Sequence, residues 1–285
     1  MQKIWVCGAR GQIGQAINDV VDKLEFEMLD TDEDDLDVTD TDEVLRFGEM
    51  NRPDIIINCS GMTDINACEE NPSQAFKVNA LGARNLAIVA AKMQAKMVQL
   101  STDDVFDGRS TEPYTEFDLV NPGTVYGKSK LAGENYVKEF TTKHFIVRST
   151  WVYGKGQNFI NDFLKKVDAG EQLSIASDQF GSPTSANELA RFLLHLVHTS
   201  EYGTYHATNK GVCSRYAFAQ EILKMTGKTA SMQPVPTVMS DFSKVRPAYA
   251  VLDNFIMSMV PIYDFPDWQD SLREYLEERG VYHAE

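Results

Sequence analysis

Tyr126 and Lys130 form the pattern in this sequence with the clearest chemical consequence. Residues four positions apart on a helix project from one face, so the phenol and the ammonium group would lie side by side. A neighbouring ammonium lowers the pKa of a phenol from about 10 towards working pH, where the phenol can serve as a proton donor. Taken alone, a YxxxK pair is more often part of a solvated helix face.

Thr102 is a second candidate, in the triplet Ser101-Thr102-Asp103 that ends the apolar segment KMVQLS. Doubly wound sheets bind ligands at the carboxyl ends of their central strands, so this hydroxyl could hydrogen-bond a substrate carbonyl together with Tyr126. The alternative interpretation is an ordinary turn at the end of a strand.

A glycine-rich turn stands near the start of the chain, where Gly8, Gly11 and Gly14 have GxxGxxG spacing directly after the residues KIWVC. Glycine permits a tight turn and lets the backbone approach a pyrophosphate, which then sits at the positive end of the following helix. An ordinary glycine turn is the alternative, but a strand before it and a helix after it favour dinucleotide binding. The turn, Thr102 and the YxxxK pair follow one another in the order and at the spacing of one known catalytic layout.

Three further patterns have simpler explanations than the sites they imitate. The GKS at 127–129 resembles the end of a phosphate-binding P-loop, but Pro122 stands where that motif needs glycine. The acidic run at 30–37 lacks the glycine and glutamate that a calcium-binding EF-hand loop requires. His195 and His198 are expected on an apolar helix with no third ligand at a suitable spacing. We therefore predict no metal site.

Composition excludes several classes of function. The 285 residues carry a formal net charge of −15, so the surface on average repels nucleic acid and anionic membranes. Four scattered cysteines without CxxC spacing indicate neither a zinc knot nor a disulfide framework. No signal peptide or apolar run of membrane-spanning length is visible, so we expect a cytoplasmic protein with no nucleic-acid or membrane partner.

Strand-like and helix-like segments alternate in the first half of the chain. Strands are predicted at 3–7, 26–30, 54–58, 96–101 and 144–150, and helices at 11–23, 41–51, 72–93 and 123–140. This alternation predicts an α/β fold with a doubly wound parallel sheet of the Rossmann type.

The regular alternation fades after residue 150. Helices are predicted near 159–169, 186–198 and 216–226, separated by loops that contain most of the prolines. We expect residues 1–150 to form the dinucleotide-binding domain. Residues 151–285 would form a smaller α/β substrate domain, with some of its elements returning to the sheet.

With these motifs the chain resembles the dTDP-4-dehydrorhamnose reductase family of extended short-chain dehydrogenases, almost from end to end. The matching segments are GARGQIG (8–14), Asn58, STDDVFDG (101–108), Pro122, YGKSKLAGE (126–134), RSTWVYG (148–154), DQFGSPT (178–184), RP (246–247) and PDW (266–268). DQFGSPT followed by RP is much more specific than the fold motif.

The resemblance implies reduction, with NAD(P)H, of the 4-keto group of a dTDP-linked 6-deoxyhexulose, which gives dTDP-L-rhamnose. It implies Tyr126 as general acid, Lys130 on the ribose and Thr102 on the carbonyl. The cofactor would contact Gly8, Arg10, Gly11, Gln12, Ile13, Gly14, Asp30, Asp37, Val38, Ser60 and Lys130. The substrate would contact Asp103, Val105, Phe106, Trp151 and Arg246.

The sequence contains signals for both NAD and NADP as the cofactor. Asp30 and Asp32, after the second strand, would accept hydrogen bonds from a ribose 2′-hydroxyl and favour NAD. Arg10, inside the glycine turn, offers paired donors suited to a 2′-phosphate, although an exposed turn residue is an equally good interpretation. We expect NADP(H), with NAD(H) also used.

Four positions near the expected sugar site depart from the family pattern. They are Met62, Asn66, Ala67 and Asp104, where the family usually has Tyr, Asp, Lys and Tyr. Two other functions therefore stay open. One is a 4-ketoreductase or epimerase acting on another nucleotide sugar. The other is a non-catalytic regulatory subunit, since the family includes the β subunit of methionine adenosyltransferase.

Some members of the family dimerise around magnesium through acidic side chains. Ala16 and Asn187 stand where those carboxylates would be. We therefore expect a monomer, or a dimer that does not depend on metal.

Overall fold

The computed structural model describes residues 1–239 and 247–283. Arg246, which we predicted to contact the substrate, lies outside the described residues. The strands are β1 Gln2–Cys7, β2 Phe26–Thr31, β3 Ile55–Asn58, β4 Lys96–Thr102, β5 His144–Ser149, β6 Val152–Tyr153, β7 Leu173–Ala176, β8 Phe180–Gly181, β9 Thr184–Ser185, β10 Gly203–His206, β11 Cys213–Ser214 and β12 Met232–Val235.

The helices are α1 Gln12–Val20, α2 Thr41–Asn51, α3 Ile65–Glu70, α4 Pro72–Phe76, α5 Ala83–Met93, α6 Val125–Phe140, α7 Phe159–Asp168, α8 Ala186–His198, α9 Arg215–Thr226, α10 Phe255–Met259 and α11 Trp268–Glu278. A π-helical segment, Lys77–Gly82, joins α4 to α5. Short 3-10 turns occur at Asp103–Val105 and Thr237–Met239. Among the described residues, no helix is long and apolar enough to cross a membrane.

Six strands form one parallel sheet in the order β10-β5-β4-β3-β1-β2. The chain begins at β1 inside the sheet, adds β2 on one side and then builds outward on the other side from β3. The predicted doubly wound parallel sheet is confirmed. Its direction of growth reverses between β1 and β3, and such a switch point opens a crevice at the carboxyl ends of the strands where ligands bind.

Helices cover both faces of this sheet. On one face α1 and α8 pack against it through apolar side chains such as Ile17 and Phe192. On the other face lie α2, α5 and α6, with Leu86 packed in the same cluster as Trp5 and Ile56. Strands covered on both sides read as continuous apolar runs, which is why they were recognisable in the sequence.

A second apolar cluster lies in the later part of the chain. It joins α7, α9, α11 and β7 through side chains that include Phe163, Ile175, Phe218 and Leu272. The elements α8 and β10 follow residue 150 yet lie against the sheet, β10 as its edge strand beside β5. The division of the chain at residue 150 stays a prediction.

The helix predicted at 72–93 is interrupted in the structure. The chain widens into the π-helical turn Lys77–Gly82 between α4 and α5. Asn79, inside that turn, is buried; its amide nitrogen donates to the Met62 carbonyl at 3.0 Å and to Ser129 Oγ at 2.9 Å. Tertiary hydrogen bonds therefore accompany a break that local helix propensity does not reveal, and π turns of this kind recur at functional sites.

Candidate active site

The glycine turn leaves the first turn of α1 open to an anion. Gly8 has φ +79°, a left-handed conformation that favours glycine, and its N–H donates to the Thr31 carbonyl at 2.8 Å. A Cβ at Gly14 would lie 2.4 Å from the Gly8 carbonyl oxygen. Gly11 precedes the helix with no side-chain cap, and the first turn of α1 holds no acidic residue. The leading N–H groups can therefore face a phosphate.

Ser60 completes the wall of this cradle. A Cβ on Gly8 would lie 2.7 Å from the Ser60 nitrogen, so the two backbones meet closely at the ends of β1 and β3. Asn58 Oδ1 accepts both the Ser60 N–H at 3.0 Å and the Ser60 hydroxyl at 2.6 Å. These contacts bring Ser60 beside the glycine turn, where it could contact the phosphates and ribose of a dinucleotide.

Arg10 projects from the turn but is already engaged. Its backbone N–H donates to Asp32, and its guanidinium pairs with Asp34 and Asp35, each at 2.8 Å. The guanidinium hydrogen bond holds the pKa of the Asp35 carboxyl below its ordinary value. All three side chains of this clamp are more than half exposed.

The remaining predicted cofactor residues lie around the same region. Asp30 is exposed at the end of β2, and Asp37 caps the Thr39 N–H at 2.8 Å. The Val38 carbonyl accepts a hydrogen bond from Asn85, and its side chain packs against Gly82.

The loop after β6 meets the start of α1. Gln12 donates from its side-chain amide to the Gln157 carbonyl at 3.0 Å, which ties the first turn of α1 to this loop.

Helix α6 carries Tyr126 and Lys130, and both side chains are buried. Thr124 caps the helix by accepting the Gly127 N–H at 2.9 Å. A Cβ on Gly127 would lie 2.1 Å from the Asp104 carbonyl oxygen, so only glycine lets the helix come this close to the end of β4. The glycine of the GKS triplet thus has a packing role that the sequence did not indicate.

Lys130 lies in an enclosed position next to Gly61. Its Nζ would be 3.7 Å from a Cβ on that glycine. Burial lowers the pKa of Lys130 to about 8, while the nearby carboxylate of Glu134 acts in the opposite direction. The ammonium is therefore mostly protonated at neutral pH, although it is easier to deprotonate than an exposed lysine.

Thr102 and Asp103 stand where β4 ends. The Thr102 hydroxyl donates to Asp103 Oδ1 at 3.0 Å and accepts the Asp104 N–H at 3.2 Å. The Thr150 hydroxyl, just beyond β5, donates to Asp103 Oδ2 at 2.9 Å. The hydroxyl of Thr102 is thereby held at the carboxyl edge, on the strand end against which α6 packs.

Trp151 follows β5 with φ +47°, a left-handed conformation that costs a non-glycine residue about 1–3 kcal/mol. Arg215 lies over its indole, with Cζ 3.4 Å from the ring centroid. A Cβ on Gly181, in the DQFGSPT segment, would lie 2.6 Å from the same ring. Arg215 and Gly181 thus set the orientation of Trp151, and neither was identified from the sequence as a contact of it.

Val105 and Phe106, which were predicted to contact the substrate, have buried side chains. Phe106 stacks on Tyr114 with ring centroids 4.3 Å apart, and Val105 belongs to the same apolar cluster. Their side chains support the loop from inside.

No group of three side chains suited to hold a metal ion occurs within 1–239 and 247–283. Ala16 and Asn187 stand where some family members have magnesium-binding carboxylates. Ala16 is buried in the core, and the side-chain amide of Asn187 donates to Glu278.

A cavity of about 430 Å³ lies beside the residues that follow β10. Ser182, Asn209, Lys210 and Asp253 are among the side chains that line it. Its described lining includes none of Thr102, Tyr126 and Lys130. The position of these three side chains, and not this cavity, therefore indicates the site.

Gly14→Ala tests the cradle. The added methyl group would meet the Gly8 carbonyl oxygen at 2.4 Å, and overpacking of about 1–3 kcal/mol would displace the end of α1. We expect NADPH to bind about tenfold more weakly or worse, measured by fluorescence titration. Gly123→Ala is the matched control, because a Cβ there meets no atom within 4 Å. A folded Gly14→Ala protein with the affinity of the wild type would refute the cradle.

Comparison with known proteins gives one consistent result. The family model described as RmlD substrate binding domain matches residues 1–281. The spore coat polysaccharide biosynthesis protein SpsK of Bacillus subtilis is 35% identical over 281 residues, which cover 98% of this chain and 99% of that protein.

Solved structures agree with the sequence comparison. A dTDP-4-dehydrorhamnose reductase from Clostridium acetobutylicum has a TM-score of 0.95 and 40% identity, covering 98% of this chain and 100% of that one. A dTDP-4-dehydrorhamnose reductase from Bacillus anthracis, solved in complex with NADP, has a TM-score of 0.94 and 35% identity with the same coverage. The chain belongs to the RmlD substrate binding domain family.

Proposed function

We propose that this protein is an NAD(P)H-dependent oxidoreductase that reduces the 4-keto group of a dTDP-linked 6-deoxyhexulose to give dTDP-L-rhamnose. The observation that carries the proposal is the position of Tyr126 and Lys130 on α6, packed against the strand end that bears Thr102, in a chain that matches reductases over its whole length. The glycine cradle at α1 fits the pyrophosphate of a nicotinamide dinucleotide.

The chain's own residues supply binding, orientation and a proton. When bound, the reduced nicotinamide supplies the hydride that the keto carbon receives. Tyr126 donates its phenolic proton to the carbonyl oxygen, which becomes the new hydroxyl group. Thr102 donates a hydrogen bond to the same oxygen, and the Lys130 ammonium favours ionisation of the phenol while it hydrogen-bonds the ribose.

The sugar would lie between this edge and the later part of the chain. Asp103, held by Thr102 and Thr150, and Trp151, held by Arg215, are the side chains we assign to it. The elements joined by the second apolar cluster, α7, α9, α11 and β7, would act as the substrate domain.

The departures from the family pattern bear on the sugar more than on the reaction. Met62 packs in the same cluster as Tyr126, and its backbone is held on both sides by Asn79. A different nucleotide sugar is therefore the second candidate substrate. A purely regulatory role is disfavoured because the described site keeps Thr102 and Lys130 in buried, oriented positions.

Assay of the wild type separates these functions. We expect absorbance of the reduced cofactor to fall with dTDP-4-keto-6-deoxy sugar and not without it. Turnover only with another nucleotide sugar would identify that sugar as the substrate. Cofactor binding without turnover of any nucleotide sugar would favour the regulatory role. We also propose a cytoplasmic location, where reduced nicotinamide cofactors are available.

Tyr126→Phe tests the general acid. The variant keeps the ring and its packing but lacks the transferable proton, so kcat should fall about 10²–10⁴-fold while cofactor affinity stays near that of the wild type. Lys130→Ala should lower both, because one ammonium serves the phenol and the ribose. Near-normal turnover in the Phe variant would remove Tyr126 from the mechanism.

Arg10 and its two carboxylates test the cofactor preference. The guanidinium can bind a 2′-phosphate only in competition with Asp34 and Asp35, so Asp34→Asn/Asp35→Asn should favour NADPH over NADH by up to about tenfold in Kd. Arg10→Ala should shift the ratio of the two Kd values towards NADH. Asp270→Asn is the control, since it breaks another exposed Asp–Arg pair, with Arg273. A ratio unchanged in Arg10→Ala would mean that Arg10 does not contact the phosphate.

The oligomeric state is proposed to be a monomer, or a dimer that is indifferent to chelator. Light scattering with and without EDTA measures this directly. A dimer that dissociates on addition of EDTA would contradict the proposal.

A further inference from the structure

A buried ion pair lies one helical turn beyond Lys130 and was not part of the sequence prediction. Glu134 on α6 is fully buried. Arg148 on β5 binds it through two nitrogens of its guanidinium, from Nε to Oε1 at 2.9 Å and from Nη2 to Oε2 at 2.7 Å. The Ser101 hydroxyl donates to Oε1 at 2.6 Å. Burial raises the pKa of Glu134, but the hydrogen bonds from Arg148 and Ser101 outweigh it and hold the pKa below its ordinary value.

These contacts join the elements that carry the catalytic groups. Ser101 immediately precedes Thr102 on β4, and Glu134 follows Lys130 by four residues on α6. A shift of α6 along the sheet would therefore break charge-assisted hydrogen bonds at the same time as it moved Lys130 away from Thr102.

Stability alone does not account for this pair. Removing two charges from water is costly, and well-packed apolar residues in place of a buried ion pair are often neutral or stabilising. Glu134 instead lies near enough to Lys130 for its negative charge to raise the pKa of that ammonium.

The charges around Lys130 come from several elements. Glu134 lies on its own helix, and Cys59 follows β3 with its thiol neutral, because desolvation raises its pKa to about 12. The acidic turn Asp103–Val105 packs against Gly127, near the Tyr126 end of the helix.

Other charged groups flank the ion pair itself. Lys138 lies 3.6 Å from Glu134 at the more exposed end of the helix, and Glu69 accepts the Val125 N–H at its start. Arg148 also lies near His206. Burial and the positive charge of Arg148 lower the pKa of His206 to about 3, so this imidazole is neutral.

We propose that Glu134 is a positioning residue for the reduction, which fixes α6 against β4 and β5 and balances the positive charge of Lys130 at the site. The proposal rests on the proposed reductase function. Arg148 is its partner, which keeps the carboxylate ionised and in place.

Glu134→Gln is the primary test. The amide keeps the shape of the side chain but removes its negative charge, so the ammonium of Lys130 and the phenol of Tyr126 should both lose their protons at lower pH. The phenol must be protonated to act as a donor, and the ammonium must be protonated to bind the ribose. We expect the high-pH limb of kcat/KM, and the pH at which NADPH binding weakens, to move down by about one pH unit.

Arg148→Met tests the positioning role. It removes the partner that keeps Glu134 ionised, so the buried carboxylate should take up a proton and its ionic contact with β5 is lost. The kcat value should therefore fall, while both pH transitions move down by less than in Glu134→Gln, because a positive charge is lost together with the negative one. Each variant has its own expected result, so the proposal remains testable when only one of them folds. Circular dichroism identifies which variants are folded.

Glu188→Gln is the matched control. Glu188 is a buried carboxylate on α8 that pairs with Arg191 of the same helix and accepts a hydrogen bond from the Tyr263 hydroxyl. It should leave both pH transitions where the wild type has them. Unmoved or raised transitions in folded Glu134→Gln would overturn the proposal, as would a wild-type kcat in folded Arg148→Met. The NADPH titration needs no sugar, so a wild type that binds NADPH but turns over no dTDP sugar would count against the function instead.

Discussion

Two backbone contacts allow helix α6 to lie against the carboxyl edge of the sheet, and the rest of the site depends on them. Side chains at Gly127 and Gly133 would meet the carbonyl oxygens of Asp104 and Asn79 at 2.1 and 2.4 Å. With glycine at both positions the helix settles onto the end of β4 and the π-helical turn. Tyr126 and Lys130 are thereby taken out of solvent, and a YxxxK pair that would otherwise lie on a wet helix face becomes an enclosed proton donor and its ammonium partner.

Burial makes the electrostatic balance of the site sensitive to single charges. The chain carries a net charge of −15, yet its proposed ligands are a phosphorylated cofactor and a phosphorylated sugar. Positive potential is supplied locally by the uncapped N-terminus of α1 and by Lys130. Arg10 adds less than its charge suggests, because Asp34 and Asp35 already pair with it. The same acidic background thus shapes both affinity and the choice between cofactors.

Much of this arrangement was predictable because it depends on local pattern. Strands buried on both faces, the glycine turn and the spacing of Tyr126 and Lys130 are all short-range signals, and the parallel sheet followed from them. The helix predicted at 72–93 was wrong in its middle, because the π turn accompanies hydrogen bonds from Asn79 to residues far away in sequence.

Other features required the tertiary structure. The resemblance implied that Val105 and Phe106 contact the substrate. Their side chains lie in an apolar cluster with Tyr114 and Leu252, residues farther along the chain. The contact of Arg215 with Trp151 joins residues 64 positions apart, and the Glu134–Arg148 pair joins a helix to a strand. No local spacing rule encodes such pairs.

The central claim is that this edge of the sheet transfers hydride to a sugar carbonyl while Tyr126 protonates its oxygen. It is tested most directly by following deuterium from NADPH labelled at the transferable position of the nicotinamide into dTDP-4-keto-6-deoxy sugar, with the product examined by NMR. The account predicts dTDP-L-rhamnose with deuterium at C4 and consumption of one cofactor for each sugar. A protein that binds NADPH yet leaves the sugar unreduced, or a product without deuterium at C4, would contradict it.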